Sequence, residues 1–185
     1  LNIEERLQCI AEQPRAYVQG TAEFVNNEWV FFDEEAEEAA LVEEMAEMAQ
    51  QGIELFRYGH WLSGRWQENG TIATDLGIFP LTDGDRIRFR KQLTYAYRQW
   101  LASLPNPSFF QYVQWLNHLG FSLYDCLYCY NGLLFAKSSG VNFMIYDNTE
   151  QIASVHHYYE RGPMPADRFE ITFNSGERAI CAQIG

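Results

Sequence analysis

The chain has 185 residues, 47% hydrophobic and 16% aromatic, with 13 lysines and arginines against 25 aspartates and glutamates and a net charge of −12. At this size about 70% of the unfolded surface is buried on folding, so one ordinary domain or two small ones can form without a disulfide or metal. No run of about 18 apolar residues is present, which excludes a membrane-spanning helix, and no basic cluster stands out to bind nucleic acid by releasing counterions.

The charge is uneven. Residues 1–90 carry 7 basic and 18 acidic side chains, residues 91–185 carry 6 and 7. Four cysteines with no regular spacing fit a reducing compartment. The opening Leu1-Asn2-Ile3-Glu4-Glu5-Arg6 has no apolar signal core and lacks a starting Met, which points to trimming and not secretion. The expected location is cytoplasmic.

Ile3, Leu7 and Ile10 form a helical stripe that Pro14 ends. From Ala16 to Asp33, two runs rich in Val, Phe and Trp flank Asn26-Asn27, the pattern of a β-hairpin. Asp33 then caps a predicted acidic helix, with Glu34, Glu35, Glu37 and Glu38 in its first turns, Leu41, Met45 and Met48 on its apolar face, and Gly52 as its stop. Residues 53–90 return to short strands separated by Gly59-His60, Asn69-Gly70 and Asp83-Gly84. That many short strands must close to avoid free edges. Residues 15–90 are therefore expected to form a small partly open barrel, similar in outline to SH3-like folds, with the acidic helix inserted.

The pattern changes at Lys91. Leu93, Ala96, Tyr97, Trp100 and Leu101 mark one helix, and Asn106-Pro107 opens a second that buries Phe109, Phe110, Val113 and Leu116 and stops at Gly120. Ser122 and Asp125 have the spacing of a capping box, so Leu123–Tyr130 is expected to be a short helix closed by Asn131-Gly132, with a hairpin at Asn131-Gly132 as the competing assignment. Val141 to Tyr146, Gln151 to Glu160, Arg168 to Phe173 and Glu177 to Ile184 read as four strands. The expected fold class is α+β: a first domain over 1–90, then over 91–185 a helical hairpin packed on a four-stranded antiparallel meander.

Three chemistries compete. The first is a non-enzymatic cytoplasmic binding or regulatory protein, touching a protein partner of basic surface through the acidic helix and Tyr58, Trp61 and Trp66, with no nucleic acid, membrane or cofactor. The second is a thiol- or zinc-dependent enzyme centred on Cys126 and Cys129 with His156 or His157, Cys181 completing a metal set. Adjacent histidines on a strand point to opposite faces, so only one of the pair can join. His157 with Glu160 or Asp147 is a candidate acid–base pair lacking an identifiable nucleophile. The third is a small-molecule pocket lined by Tyr124, Tyr128, Tyr130, Tyr158 and Tyr159. Buried mid-helix cysteines that do no chemistry are the default reading of Cys126-Leu127-Tyr128-Cys129.

Overall fold

The computed structural model describes residues 1–135 and 138–184. Helix α1 (Ile3–Cys9) is followed by strands β1 (Tyr17–Val25), β2 (Glu28–Asp33) and β3 (Ala39–Leu41), helix α2 (Val42–Met48), and strands β4 (Gly52–Arg57), β5 (His60–Gln67), β6 (Thr71–Thr74), β7 (Gly77–Pro80) and β8 (Asp85–Arg90). Helices α3 (Tyr95–Ser103) and α4 (Asn106–His118) come next, then β9 (Cys126–Tyr130), β10 (Ser139–Asp147), β11 (Ile152–Glu160), β12 (Ala166–Phe173) and β13 (Arg178–Ile184). Two compact units result: Tyr17–Gln92, and Leu1–Ala16 together with Leu93–Gly185.

The unit Tyr17–Gln92 is an open antiparallel sheet of eight strands in the order β3-β2-β1-β8-β4-β5-β6-β7. Asn26 and Asn27 both take positive φ, 50° and 68°, as a two-residue hairpin turn requires, and Val25 pairs with Glu28 across it. One face holds the core of Ala22, Phe31, Ile53, Leu55, Ile72, Ile87 and Phe89, covered by Val42 and Ala46 of α2.

This corrects the SH3-like barrel. The end strands β3 and β7 do not pair with each other, and closure needs such a pair. β3 has three residues and β7 ends on Pro80, which has no N–H to give; short strands and proline blunt an edge without closing it. The acidic helix is also shorter than expected. Asp33 Oδ1 accepts the N–H groups of Glu35 and Ala36 in a tight turn, Glu37 takes a φ of 54°, and the chain then pairs with β2 as β3 before α2 begins at Val42. Glutamates at 34, 35, 37 and 38 would repel one another three and four residues apart on a helix, which weakens a helix there.

In the other unit, five antiparallel strands run in the order β13-β12-β11-β10-β9. The four-stranded meander under a helical hairpin is therefore also corrected: a fifth strand, β9, occupies the place given to a helix. The Ser122/Asp125 capping box exists, with Asp125 Oδ2 accepting the Ser122 N–H at 2.6 Å, but it closes only a 3-10 turn over Leu123–Asp125. Asp125 is held by Arg15, at 2.7 Å from Nε and from Nη2, and Cys126–Tyr130 then runs extended against β10. Aromatic residues suit that pleated edge. Tyr97, Trp100, Leu101, Phe109, Tyr112 and Leu116 from α3 and α4 join Met144, Tyr146, Val155, Phe169 and Ile171 in one core. With thirteen strands and four helices among the described residues, the chain is mostly β where an α+β fold was expected.

Candidate functional site

Cys126 and Cys129 sit on the edge strand β9 and contribute to the core of their unit. Burial pushes both thiols up, Cys129 to about 12, and the neighbouring Cys129 sulfur raises Cys126 further. Such thiols stay protonated at neutral pH, and the thiolate is the reactive form. His156 pairs across to Phe143 and Glu170, on the sheet face opposite to His157, while Cys181 pairs with Phe169 on the face of His157. Cys126, Cys129, His156 and Cys181 are not gathered together: among the described residues no group of three or more His, Cys, Asp or Glu side chains is arranged to hold a metal.

His157 pairs with Asp167, and neither Glu160 nor Asp147 is its partner. The Asn142 Oδ1 accepts the Gly132 N–H at 2.7 Å, which turns the Asn142 amide N–H toward His157 Nδ1 at 3.0 Å. The Trp100 indole N–H, a donor only, reaches the same Nδ1 at 2.9 Å. Nδ1 is therefore the acceptor, and Nε2 carries the proton and donates it to Asp167 Oδ1 at 2.7 Å. Ser108 donates to Asp167 Oδ2 at 2.6 Å, and Arg161 Nη2 to Oδ1 at 2.7 Å. Burial pushes the His157 pKa below its ordinary value although Asp167 pulls the other way. Burial alone would raise the Asp167 carboxyl, but hydrogen bonds from His157, Ser108 and Arg161 outweigh it and hold it below the usual range.

This set has the residue types of a hydrolase triad and different wiring. Ser108 bonds to the aspartate and not to the imidazole, so no base faces a nucleophile. His157, Ser108 and Asp167 are 0%, 1% and 3% exposed, leaving no room for a substrate. The network ties α3 and α4 to β10, β11 and β12.

The predicted aromatic contacts separate. Tyr58, 75% exposed, stands at the β4–β5 turn near the Phe79 ring. Trp61 lies on the sheet face away from the core, against Phe56 and the guanidinium of Arg88. Trp66, five residues on, points to the other face. Tyr124 packs on the core of its own unit, whereas Tyr128 and Tyr158 lie on the face of the five-stranded sheet away from that core, linked through the rings of Phe143 and His156.

Trp66 takes part in a site. Across the β1–β2 hairpin Phe24 pairs with Trp29, two residues beyond the Ala22–Phe31 pair, so both rings continue the core face past its apolar centre, with centroids 5.2 Å apart. Trp66 reaches the same region opposite Ile72 of β6. These three rings, with Leu41 and Glu43 at the start of α2 and Asn27, Glu28, Asn69 and Gly70 from two turns, line a cleft of about 440 Å³. Gly70, at a φ of +72°, lets the Trp29 indole lie on the turn: a Cβ there would stand 2.1 Å from Trp29 Nε1. The cleft thus combines aromatic faces with the exposed Glu43, while Glu28, paired with Val25, borders it from the other face of the hairpin. Ring faces carry partial negative charge and attract cations, and carboxylates beside them add to the field.

The model of the family described as "Protein of unknown function (DUF2777)" matches residues 4–183. The chain belongs to the DUF2777 family. It is similar to the "Uncharacterized protein YisN" of Bacillus subtilis (strain 168), 33% identical over 126 residues that cover 66% of this chain and 65% of that protein. No solved structure matches.

In this DUF2777 chain, sequence reasoning found Trp66 and the turn glycine Gly70 but missed Phe24, Trp29, Glu28 and Glu43. Phe24 and Trp29 were legible as cross-strand partners once Asn26-Asn27 was fixed as the turn. Their convergence with Trp66 was not, because it depends on β1 and β5 lying in one sheet through β8 and β4. No helix among the described residues is long and apolar enough to cross a membrane.

Proposed function

We propose that this DUF2777 protein is a non-enzymatic cytoplasmic binding protein, and that the cleft of Phe24, Trp29 and Trp66 receives a cationic side chain of a basic protein partner. The observation that carries this reading is the meeting of three aromatic rings from two hairpins with Glu43 at one cleft. Residues 1–90, which include it, hold 18 acidic against 7 basic side chains, so the field around it also favours a basic partner. A cation over an aromatic ring gains about 0.5–1 kcal/mol when exposed and about 2 kcal/mol when desolvated. A quaternary ammonium is desolvated most easily, which makes a methylated lysine the best first probe.

The test is titration of the intact chain, by tryptophan fluorescence at low salt, with a peptide bearing trimethyl-lysine beside its unmodified and arginine counterparts. Binding of the methylated peptide, about tenfold weaker (~1.4 kcal/mol) in Trp66→Ala, is expected. Glu43→Gln, at an exposed position, should weaken binding and flatten its salt dependence without altering the melting temperature. Equal binding by wild type and both variants would remove the cleft from the account. Thiol or zinc chemistry at Cys126 and Cys129 draws no support from thiols raised by burial.

A further inference from the structure

The face of the eight-stranded sheet away from its core carries a row of arginines, with Glu54 among them and Glu23 and Glu28 further along the β1–β2 hairpin. Ile87 and Phe89 of β8 point inward, so Arg86, Arg88 and Arg90 alternate outward. Register puts Tyr17, Gln19 and Thr21 of β1 beside them on one side and Glu54 of β4 on the other, followed by Trp61, Ser63 and Arg65 of β5. The Arg88 guanidinium lies 3.8 Å from the Tyr17 ring centroid and 4.5 Å from that of Trp61, and is ion-paired to Glu54. Glu54 is held in turn by Ser63 Oγ at 3.0 Å and Tyr17 Oη at 3.3 Å. Arg86 lies over Phe56 at 4.8 Å, and Arg90 over Tyr17 at 5.2 Å while donating to its hydroxyl at 2.8 Å. Arg86, Arg90 and Arg65 are exposed. Where β4 and β8 diverge beyond the Glu54–Arg88 pair, a cleft of about 310 Å³ opens between Arg88, Arg90, Ser63 and Gly52.

We propose that this face is a second docking surface, and that its partner is an extended acidic peptide segment. Three features support that chemistry. A guanidinium held over a ring is pre-ordered, so less freedom is lost when a carboxylate arrives. Outward residues two apart on a strand recur every ~6.6 Å, and side chains on one side of an extended peptide recur at the same interval, so peptide carboxylates four positions apart match the exposed Arg86 and Arg90, with Arg88 between them engaged by Glu54. The Tyr17, Phe56 and Trp61 rings are already covered by guanidinium groups, which removes the bare faces that nucleic-acid bases need for stacking. Charge complementarity with covered rings therefore selects a peptide carboxylate over a single-stranded nucleic acid.

The experiment titrates the intact chain with a synthetic peptide of alternating Glu and Ser, its Gln-Ser counterpart, and an oligothymidylate of equal charge, following fluorescence anisotropy at several salt concentrations. The Glu-Ser peptide should bind with log K falling linearly in log salt, the Gln-Ser peptide should not bind, and the oligothymidylate should bind at least tenfold more weakly. Arg86→Gln/Arg90→Gln should lower Glu-Ser affinity at least tenfold, while Trp66→Ala on the other face leaves it unchanged. Far-UV circular dichroism and the melting temperature establish that the double variant is folded; if it is not, Arg86→Gln with Arg65→Gln gives the same readout. The proposal is overturned if wild type fails to bind the Glu-Ser peptide at low salt, if oligothymidylate binds equally well or better, or if the arginine variants bind as wild type does.

Discussion

The Trp100 indole and the Asn142 amide both direct an N–H at His157 Nδ1, so a proton added there would set donor against donor at a position closed to solvent. The folded state therefore resists protonation, whereas the unfolded chain takes up the proton near the ordinary histidine value of 6.5. Below pH 6.5 the unfolded state binds more protons than the folded one, and stability falls as pH falls. Asp167 acts in the same direction further down: held low by its partners, it contributes stability above about 3.9 that is lost as pH drops through its folded pKa. Urea unfolding at stepwise pH should give a stability slope of up to about 1.4 kcal/mol per unit beginning below pH 6.5. His157→Gln should abolish that slope while lowering stability at pH 7. Trp100→Phe keeps an aromatic ring but loses the N–H and part of the buried indole volume, and should cost at least about 1–3 kcal/mol at neutral pH. A flat profile from pH 7 to 5 in the wild type would contradict the assigned tautomer.

At the scale of elements, Gly20 and Gly70 hold positions no other residue fits. A Cβ on Gly20 would stand 1.9 Å from the Phe32 carbonyl oxygen, so Gly20→Ala should part β1 from β2 and lower the melting temperature sharply. Gly70→Ala meets both a φ of +72° and the Trp29 indole; it should cost more than about 1 kcal/mol and shift the tryptophan emission as the ring is displaced. The strand β9 makes a chemical prediction. Cys126 and Cys129 should react slowly with iodoacetamide at pH 8, and the exposed Cys9 should be the thiol modified first, as mass spectrometry of the native protein would record. Fast labelling of Cys126 or Cys129 would count against a closed β9 edge. The elements legible in the sequence are those that local chemistry decides. Asn26-Asn27 specifies its turn, and Pro105 with Asn106-Pro107 separates α3 from α4. The segments that misled are those where local and long-range preferences conflict. Ser122 and Asp125 do cap a turn, but Arg15, more than a hundred residues earlier, fixes Asp125, and pairing with Phe143–Tyr146 draws Cys126–Tyr130 into the sheet. Asp33 likewise closes a tight turn that the glutamates after it do not extend into a helix.

At the scale of the molecule, the barrel expectation failed because strand order is not written locally: β1 joins β8 and β4 joins β8, pairings no turn residue announces. The cleft of Phe24, Trp29 and Trp66 was hidden for the same reason. The two units differ in how they depend on the chain's first residues. Tyr17–Gln92 is continuous and has its own core. The other unit needs the first sixteen residues: Arg6 Nη1 donates to the carbonyls of Leu101 and Leu104 at 3.0 and 2.8 Å, Gln13 bonds Asn117 and the Leu123 N–H, and Arg15 holds Asp125. Residues 17–92 expressed alone should give a cooperative melt. Deleting residues 1–16 should leave that melt in place and abolish the transition of the second unit; survival of both transitions would show these contacts to be dispensable.

Tyr17 and Arg90 face each other across β1 and β8, so the middle of the chain leaves its sheet close to where it entered and can finish folding as soon as Arg90 clears the ribosome. Helix α1 has no such option, because its partner, α3, is translated only after the whole eight-stranded sheet. At roughly 5–20 residues per second this segment waits several seconds with Ile3, Leu7 and Ile10 unpacked, and a seven-residue helix has little stability of its own until α3 arrives.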